Sequence, residues 1–179
     1  MEPSELRGLP LRTTRHAPLR PATVATAARF RSVQLLADSP DTGYVARRTA
    51  REVSRDWGMP LLADDVELCV SELVGNAVHH ATPDGSLARC GGSRRVAVVF
   101  RGWPRWLFVE VADADSTPPM LPVGDLLTPD PSDLAHDDLL SDSGRGLFLV
   151  QTLADAVWWA PRKTGGKSVF CRFDLHSGR

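Results

Sequence analysis

A chain of 179 residues, 42% hydrophobic and 24% charged, has the make-up of one ordinary globular domain with enough apolar material for a substantial core. Its net charge of −1 supplies no basic field for nucleic acid, and no apolar run approaches the ~18 residues needed to cross a bilayer. Cys69, Cys90 and Cys171 have neither C-x-x-C nor zinc spacing, so buried free thiols in a reducing cytoplasm are expected.

Residues 1–28 carry Pro3, Pro10, Pro18 and Pro21 among Arg7, Arg12, Arg15 and Arg20. No hydrophobic segment follows those arginines, so the stretch reads as an extended or disordered tail and not as a secretory signal. The folded domain is expected over 29–179. Phe30–Leu36 alternates partially and suits an edge strand. Ser39-Pro40-Asp41 opens a helix that runs past Arg47, Arg48, Arg51 and Arg55 to Trp57, where Gly58 stops it. Its arginines read first as a solvated face, and second as an aid to phosphate or acidic-partner binding.

The central stretch follows Met59-Pro60. Val66, Cys69, Val70, Leu73, Ala77 and Val78 recur at three- and four-residue steps, which predicts an amphipathic helix ending near Ala81. Asp64 and Asp65 suit the positive end of its dipole. Glu72 and Asn76, four apart, share one face. Alone, that pair reads as a solvated face; the alternative is a hard cation such as Mg2+ and a water beside a phosphate. His79 and His80 read as structural or cap-side residues, since neither has a second metal ligand nearby.

After the turn cluster Thr82–Ser86, Arg94–Phe100 and Trp106–Ala112 are strands joined through Gly102-Trp103-Pro104-Arg105, an antiparallel hairpin. The second strand delivers Asp113, which either caps the strand or accepts a hydrogen bond from an amine. Residues from about 116 to 142 hold five prolines and six aspartates, too broken for a core helix; a lid over a ligand and a plain loop both fit. Ser143-Gly144-Arg145-Gly146 then opens a helix with Leu147, Val150 and Leu153 on one face. Backbone N–H groups at such a start, with glycines permitting close approach, make an anion site to which Arg145 adds charge. Val157–Trp159 and Ser168–Asp174 form a closing hairpin through Gly165-Gly166-Lys167, with one of Trp158 and Trp159 in the core and the other on the surface.

A Glu/Asn helix, a strand-end Asp, a Pro-rich loop and a Gly-x-Gly helix start, in that order, resemble the ATP-binding fold shared by histidine kinases, gyrase and MutL. Over about residues 40–175 the chain looks most like the small anti-sigma-factor serine/threonine kinases in their actinomycete form. The resemblance implies a Bergerat-type α/β (α+β) sandwich, with a mixed, mostly antiparallel sheet and helices on one face. It further implies ATP and Mg2+ as cofactors. Asn76 would hold the metal, Glu72 would serve as catalytic base, Asp113 would read the adenine N6 amine, and Ser143, Gly144, Arg145, Gly146 and Leu147 would hold phosphate. The implied partners are a STAS-type anti-sigma-factor antagonist, a sigma factor, or both, with no nucleic acid or membrane engaged directly; homodimers are common in the family. One departure stands out: the wider family has Asp-x-Gly-x-Gly where this chain has Asp113-Ala114-Asp115-Ser116-Thr117. Backbone approach at Asp115 and Thr117 is therefore less free. That departure sustains an alternative, a non-catalytic module that sequesters a sigma factor or antagonist by binding alone.

Overall fold

Alternating apolar residues in five segments build one sheet, and three amphipathic helices bury their stripes against it. The computed structural model describes residues 27–80, 94–119 and 142–176, and of residues 80 and 142–145 the backbone only. The chain order is β1 (Arg29–Leu36), α1 (Thr42–Asp56), a single 3-10 turn (Pro60–Leu62), α2 (Ala63–His80), β2 (Arg95–Gly102), β3 (Trp106–Asp113), α3 (Asp142–Leu153), β4 (Ala156–Pro161) and β5 (Lys167–Asp174). Most of the expected tail and lid, Cys90 and the Thr82–Ser86 turn lie outside the described residues.

The strands lie in the order β1-β2-β3-β5-β4. A mixed, largely antiparallel sheet is expected; among the described residues every pairing is antiparallel. β1 is an edge strand, as its weak alternation suggests. β5 inserts between β3 and β4, so the last hairpin is laid into the sheet, and the β3–β5 register sets Asp113 opposite Lys167.

Burial alternates along β2 and β3 with the period of two that a half-covered sheet requires. Val96, Val98, Phe100, Leu107, Val109, Val169, Cys171 and Phe173 point into one core with Val66, Cys69, Val70, Leu73 and Val74 of α2 and Leu147 and Val150 of α3. The helices therefore occupy one face. On the other, aromatic residues shield one another: Trp158 stacks on Phe170 at 5.2 Å between ring centroids and meets Phe108 edge-on at 5.9 Å. Trp159 packs against the core while Trp158 stays on this outer face, the division expected of the pair.

α1 begins at Thr42, one residue beyond Asp41, and Gly58 at φ 71° ends it in the left-handed region where glycine carries no Cβ penalty. Its arginines form ion pairs: Arg51 grips Glu67 of α2 through two nitrogens, and Arg48 reaches Glu52 at 2.9 Å. Cys69 and Cys171 are free and buried. A hydrogen bond with Cys69, and then burial, push the Cys171 thiol far above its usual range, so it stays protonated.

Leu107 is fully buried and Leu61 is 92% exposed. Leu107→Ala is expected to cost about 2–5 kcal/mol, and Leu61→Ala to stay within about 0.5 kcal/mol of wild type, both read from urea unfolding.

Candidate functional site

Glu72 and Asn76 interrupt the apolar run of α2 without breaking the helix, and Glu72 looks toward α3. Both are half-buried. The Asn76 Nδ2 amide is sealed from solvent and has no hydrogen-bond partner among the described residues. A buried amide left in that state costs free energy, and native structures rarely tolerate one unless a ligand or water completes it. Rotation of the carboxamide by half a turn would present Oδ1 at the same point. His79, one turn on, is exposed.

The carboxylate of Glu72 meets the first part of α3. Gly146 is buried there, and a Cβ at that position would overlap Glu72 Oε2. Hydrogen in place of a methyl group is what admits the carboxylate. Two stretches more than sixty residues apart in sequence thus come into contact through one side chain and one glycine. Ser143, Gly144 and Arg145 belong to the opening of α3 by their backbone, and Leu147 is buried beneath it, 5% exposed.

Asp113 sits elsewhere, at the end of β3, and no hydrogen bond joins it to Glu72 or Asn76 among the described residues. It is 2% exposed and held by a cation. Lys167 Nζ lies 3.1 Å from Asp113 Oδ1, 2.8 Å from Asp115 Oδ2 and 3.1 Å from the Asp115 carbonyl oxygen. The backbone N–H of Asp115 also donates to Asp113 Oδ1, at 2.9 Å, and that of Thr117 to Asp115 Oδ1, at 3.0 Å. The positions where the family pattern has glycines therefore carry a tight, self-bonded turn around an ammonium.

Burial pushes the Asp113 carboxyl above the ordinary carboxylate range, more than Lys167 and the Asp115 N–H pull it down. Burial acts on Asp115 in the same direction, but hydrogen bonds from Lys167 and Thr117 outweigh it and hold that carboxyl below its usual value. Asp115 is thus the stronger partner of Lys167, and Asp113 the group closer to accepting a proton or a further donor.

The β4–β5 turn clamps this corner. Gly165 and Gly166 have φ of 87° and 79°, and Gly166 donates its N–H to Ser116 Oγ at 3.0 Å. A Cβ at Gly166 would overlap the Asp113 carbonyl oxygen and come within 2.9 Å of Ala114 Cα.

Sequence reasoning identified Glu72, Asn76, Asp113 and the Gly144–Gly146 helix start, of which the structure brings Glu72 and Gly146 together. It missed Lys167 and the pairing role of Asp115, 52 residues apart. The available signal was chemical: an extra carboxylate beside a strand-end Asp needs a cation, and a lysine directly after a Gly-Gly turn can be placed opposite only if β5 pairs with β3.

Gly165→Ala meets no neighbouring atom and adds only left-handed strain, whereas Gly166→Ala adds backbone overlap as well. Urea unfolding should therefore show a loss of about 1–2 kcal/mol for the first and distinctly more for the second. Residues 36–172, which include every one of these groups, match the model of the histidine kinase-like ATPase domain. Among curated proteins none matches the chain. With an antiparallel sheet covered on one face by helices, and a family match over most of its length, the chain belongs to the histidine kinase-like ATPase domain family.

Proposed function

We propose that this domain binds ATP with Mg2+ and transfers the γ-phosphoryl group to a serine or threonine of an anti-sigma-factor antagonist. The contact of the Glu72 carboxylate with Gly146, the fifth residue of α3, carries the reading: it sets a proton acceptor about one turn from a helix start able to bind phosphate. The unpartnered Asn76 Nδ2 one turn away fits a ligand-completed site. No group of three or more His, Cys, Asp or Glu side chains gathers for a metal among the described residues, so Asn76 would hold the ion together with phosphate oxygens and water. Bound there, Mg2+ neutralises charge on the phosphates.

In this reading Glu72 accepts the proton of the attacking hydroxyl as its oxygen bonds to the γ-phosphorus and the bond to the β-bridging oxygen breaks, releasing ADP. Gly144 and Gly146 leave room for backbone N–H groups to meet phosphate oxygens, with Ser143, Arg145 and Leu147 as neighbours. Asp113 accepts from the exocyclic amine of adenine. The partner would be a STAS-type antagonist or a sigma factor, engaged by a monomer or a homodimer. A second reading, binding without transfer, is favoured by one observation: Lys167 and Asp115 tie down the segment that glycines leave loose elsewhere in the family.

Calorimetric titration should show saturable binding of ATP with Mg2+ that discriminates against GTP. Asp113→Asn should weaken it by about 1–3 kcal/mol, since the base would then face a mismatched group. Absence of saturable ATP binding would leave only a partner-binding module. In phosphoryl-transfer assays with antagonist proteins, Glu72→Gln should lower the rate roughly 10²–10⁴-fold. Gly146→Ala should do the same while unfolding within about 1 kcal/mol of wild type, because the atom it displaces is the tip of a flexible side chain.

A further inference from the structure

Two carboxylates flank the Lys167 ammonium, and the donors to their four oxygens can be counted. Asp115 Oδ2 takes Lys167, Asp115 Oδ1 takes the Thr117 N–H, and Asp113 Oδ1 takes both Lys167 and the Asp115 N–H. Among the described residues Asp113 Oδ2 receives none. An ammonium has three protons, and Lys167 meets three acceptors, so nothing remains on it for a ligand. Two carboxylates against one ammonium leave the buried cluster one negative charge in excess. The imbalance and the vacant lone pairs coincide on one atom, and what they lack is a neutral N–H donor.

We infer that Lys167 is the positioning residue of the base site: it pins Oδ1 of Asp113, keeps that carboxylate an acceptor, and leaves Oδ2 to the exocyclic amine of an adenine ring. The inference rests on the nucleotide reading above and assigns that site's selectivity to a residue that itself touches no base. Asp115 is the other half of the device. It anchors two of the three Lys167 protons, so the ammonium cannot swing toward the ligand. Cross-strand register does the rest, because Asp113 and Lys167 are directly paired on β3 and β5.

The arrangement makes a signed prediction. With both donors on Oδ1, a proton goes to Oδ2 and turns that acceptor into an O–H facing the amine, so binding weakens as pH falls through the Asp113 pKa in the folded protein. The charged groups that act most on Asp113 are Lys167 from β5, which favours ionisation, and Asp115 from its own loop, which opposes it. Lys167→Met therefore moves the pH midpoint of ATP binding upward, by roughly 1–3 pH units for the loss of an adjacent opposite charge. Asp115→Asn removes a like charge and moves the midpoint downward. A purely structural role would weaken binding at every pH and in the same direction for both variants.

The experiment is calorimetric titration of ATP with Mg2+ into wild type, Lys167→Met and Asp115→Asn from acid to mildly alkaline pH, with urea unfolding of each variant. Opposite midpoint shifts, with Lys167→Met recovering wild-type affinity on the alkaline side, are expected. Unmoved midpoints, or shifts of the same sign, overturn the inference while wild-type ATP binding upholds the nucleotide site. Should Lys167→Met not fold, the downward shift in Asp115→Asn decides alone. A wild type that binds no ATP at any pH sinks both readings together.

Discussion

A buried ammonium between two buried carboxylates is the constraint to which the central sheet answers. Taking such charges from water costs several kcal/mol each, and mutual attraction offsets the cost only when the geometry is close and the remaining lone pairs are satisfied. Here the distances of 2.8 and 3.1 Å depend on Lys167 facing Asp113 across β3 and β5. A slip of one residue would turn Lys167 to the opposite face of the sheet and strand both carboxylates. The same requirement reaches the last hairpin. Its turn must pass so close to Asp113 and Ala114 that no Cβ fits at Gly166, and the Gly166 N–H then secures Ser116.

The second organising feature is a polar pair on an oily helix. α2 supplies Val66, Cys69, Val70, Leu73, Val74 and Ala77 to the core, yet spares one face for Glu72 and Asn76. An amphipathic helix can do this only if what packs on that face is small or absent. Gly146 is small, and Asn76 Nδ2 has no hydrogen-bond partner among the described residues. The stability of α2 therefore comes from its apolar stripe, and its polar face is free to be chemically specific. No helix among the described residues is long and apolar enough to cross a membrane, and each of α1, α2 and α3 buries an apolar stripe in the same core.

Much of this was legible because it is local. Period-3.6 patterning located α2, Gly58 marked the end of α1 through its left-handed φ, and composition located β2, β3 and β5 to within two residues. Glu72, Asn76 and Asp113 were legible for a different reason: each is a polar group where the pattern asks for an apolar or loop residue. Lys167 was not legible, since a lysine after a Gly-Gly turn is most economically a solvated turn residue. Its burial follows from β5 pairing with β3 across fifty residues that include a helix and another strand. Non-local pairing of that kind leaves no trace in a window of ten residues. The sheet's uniform antiparallel pairing was hidden by the same distance.

The glycine-poor turn after Asp113 also takes on a different meaning once Lys167 is in view. Read alone, Asp115 in a glycine's place suggests a site losing its function, because a side chain occupies room the backbone would need. Yet a carboxylate introduced there without a cation would be a buried, unpaired charge, and a lysine introduced without Asp115 would have its ammonium held by Asp113 alone on the side-chain side. Neither is tolerable singly. Together they fix the loop by ionic contact where glycines would leave it free, and they keep Asp113 bonded on one oxygen and unsatisfied on the other. A merely decayed site has no reason to retain that asymmetry. A cluster whose surplus charge and unbonded oxygen fall on the one strand-end carboxylate has the form that the proposed base site requires.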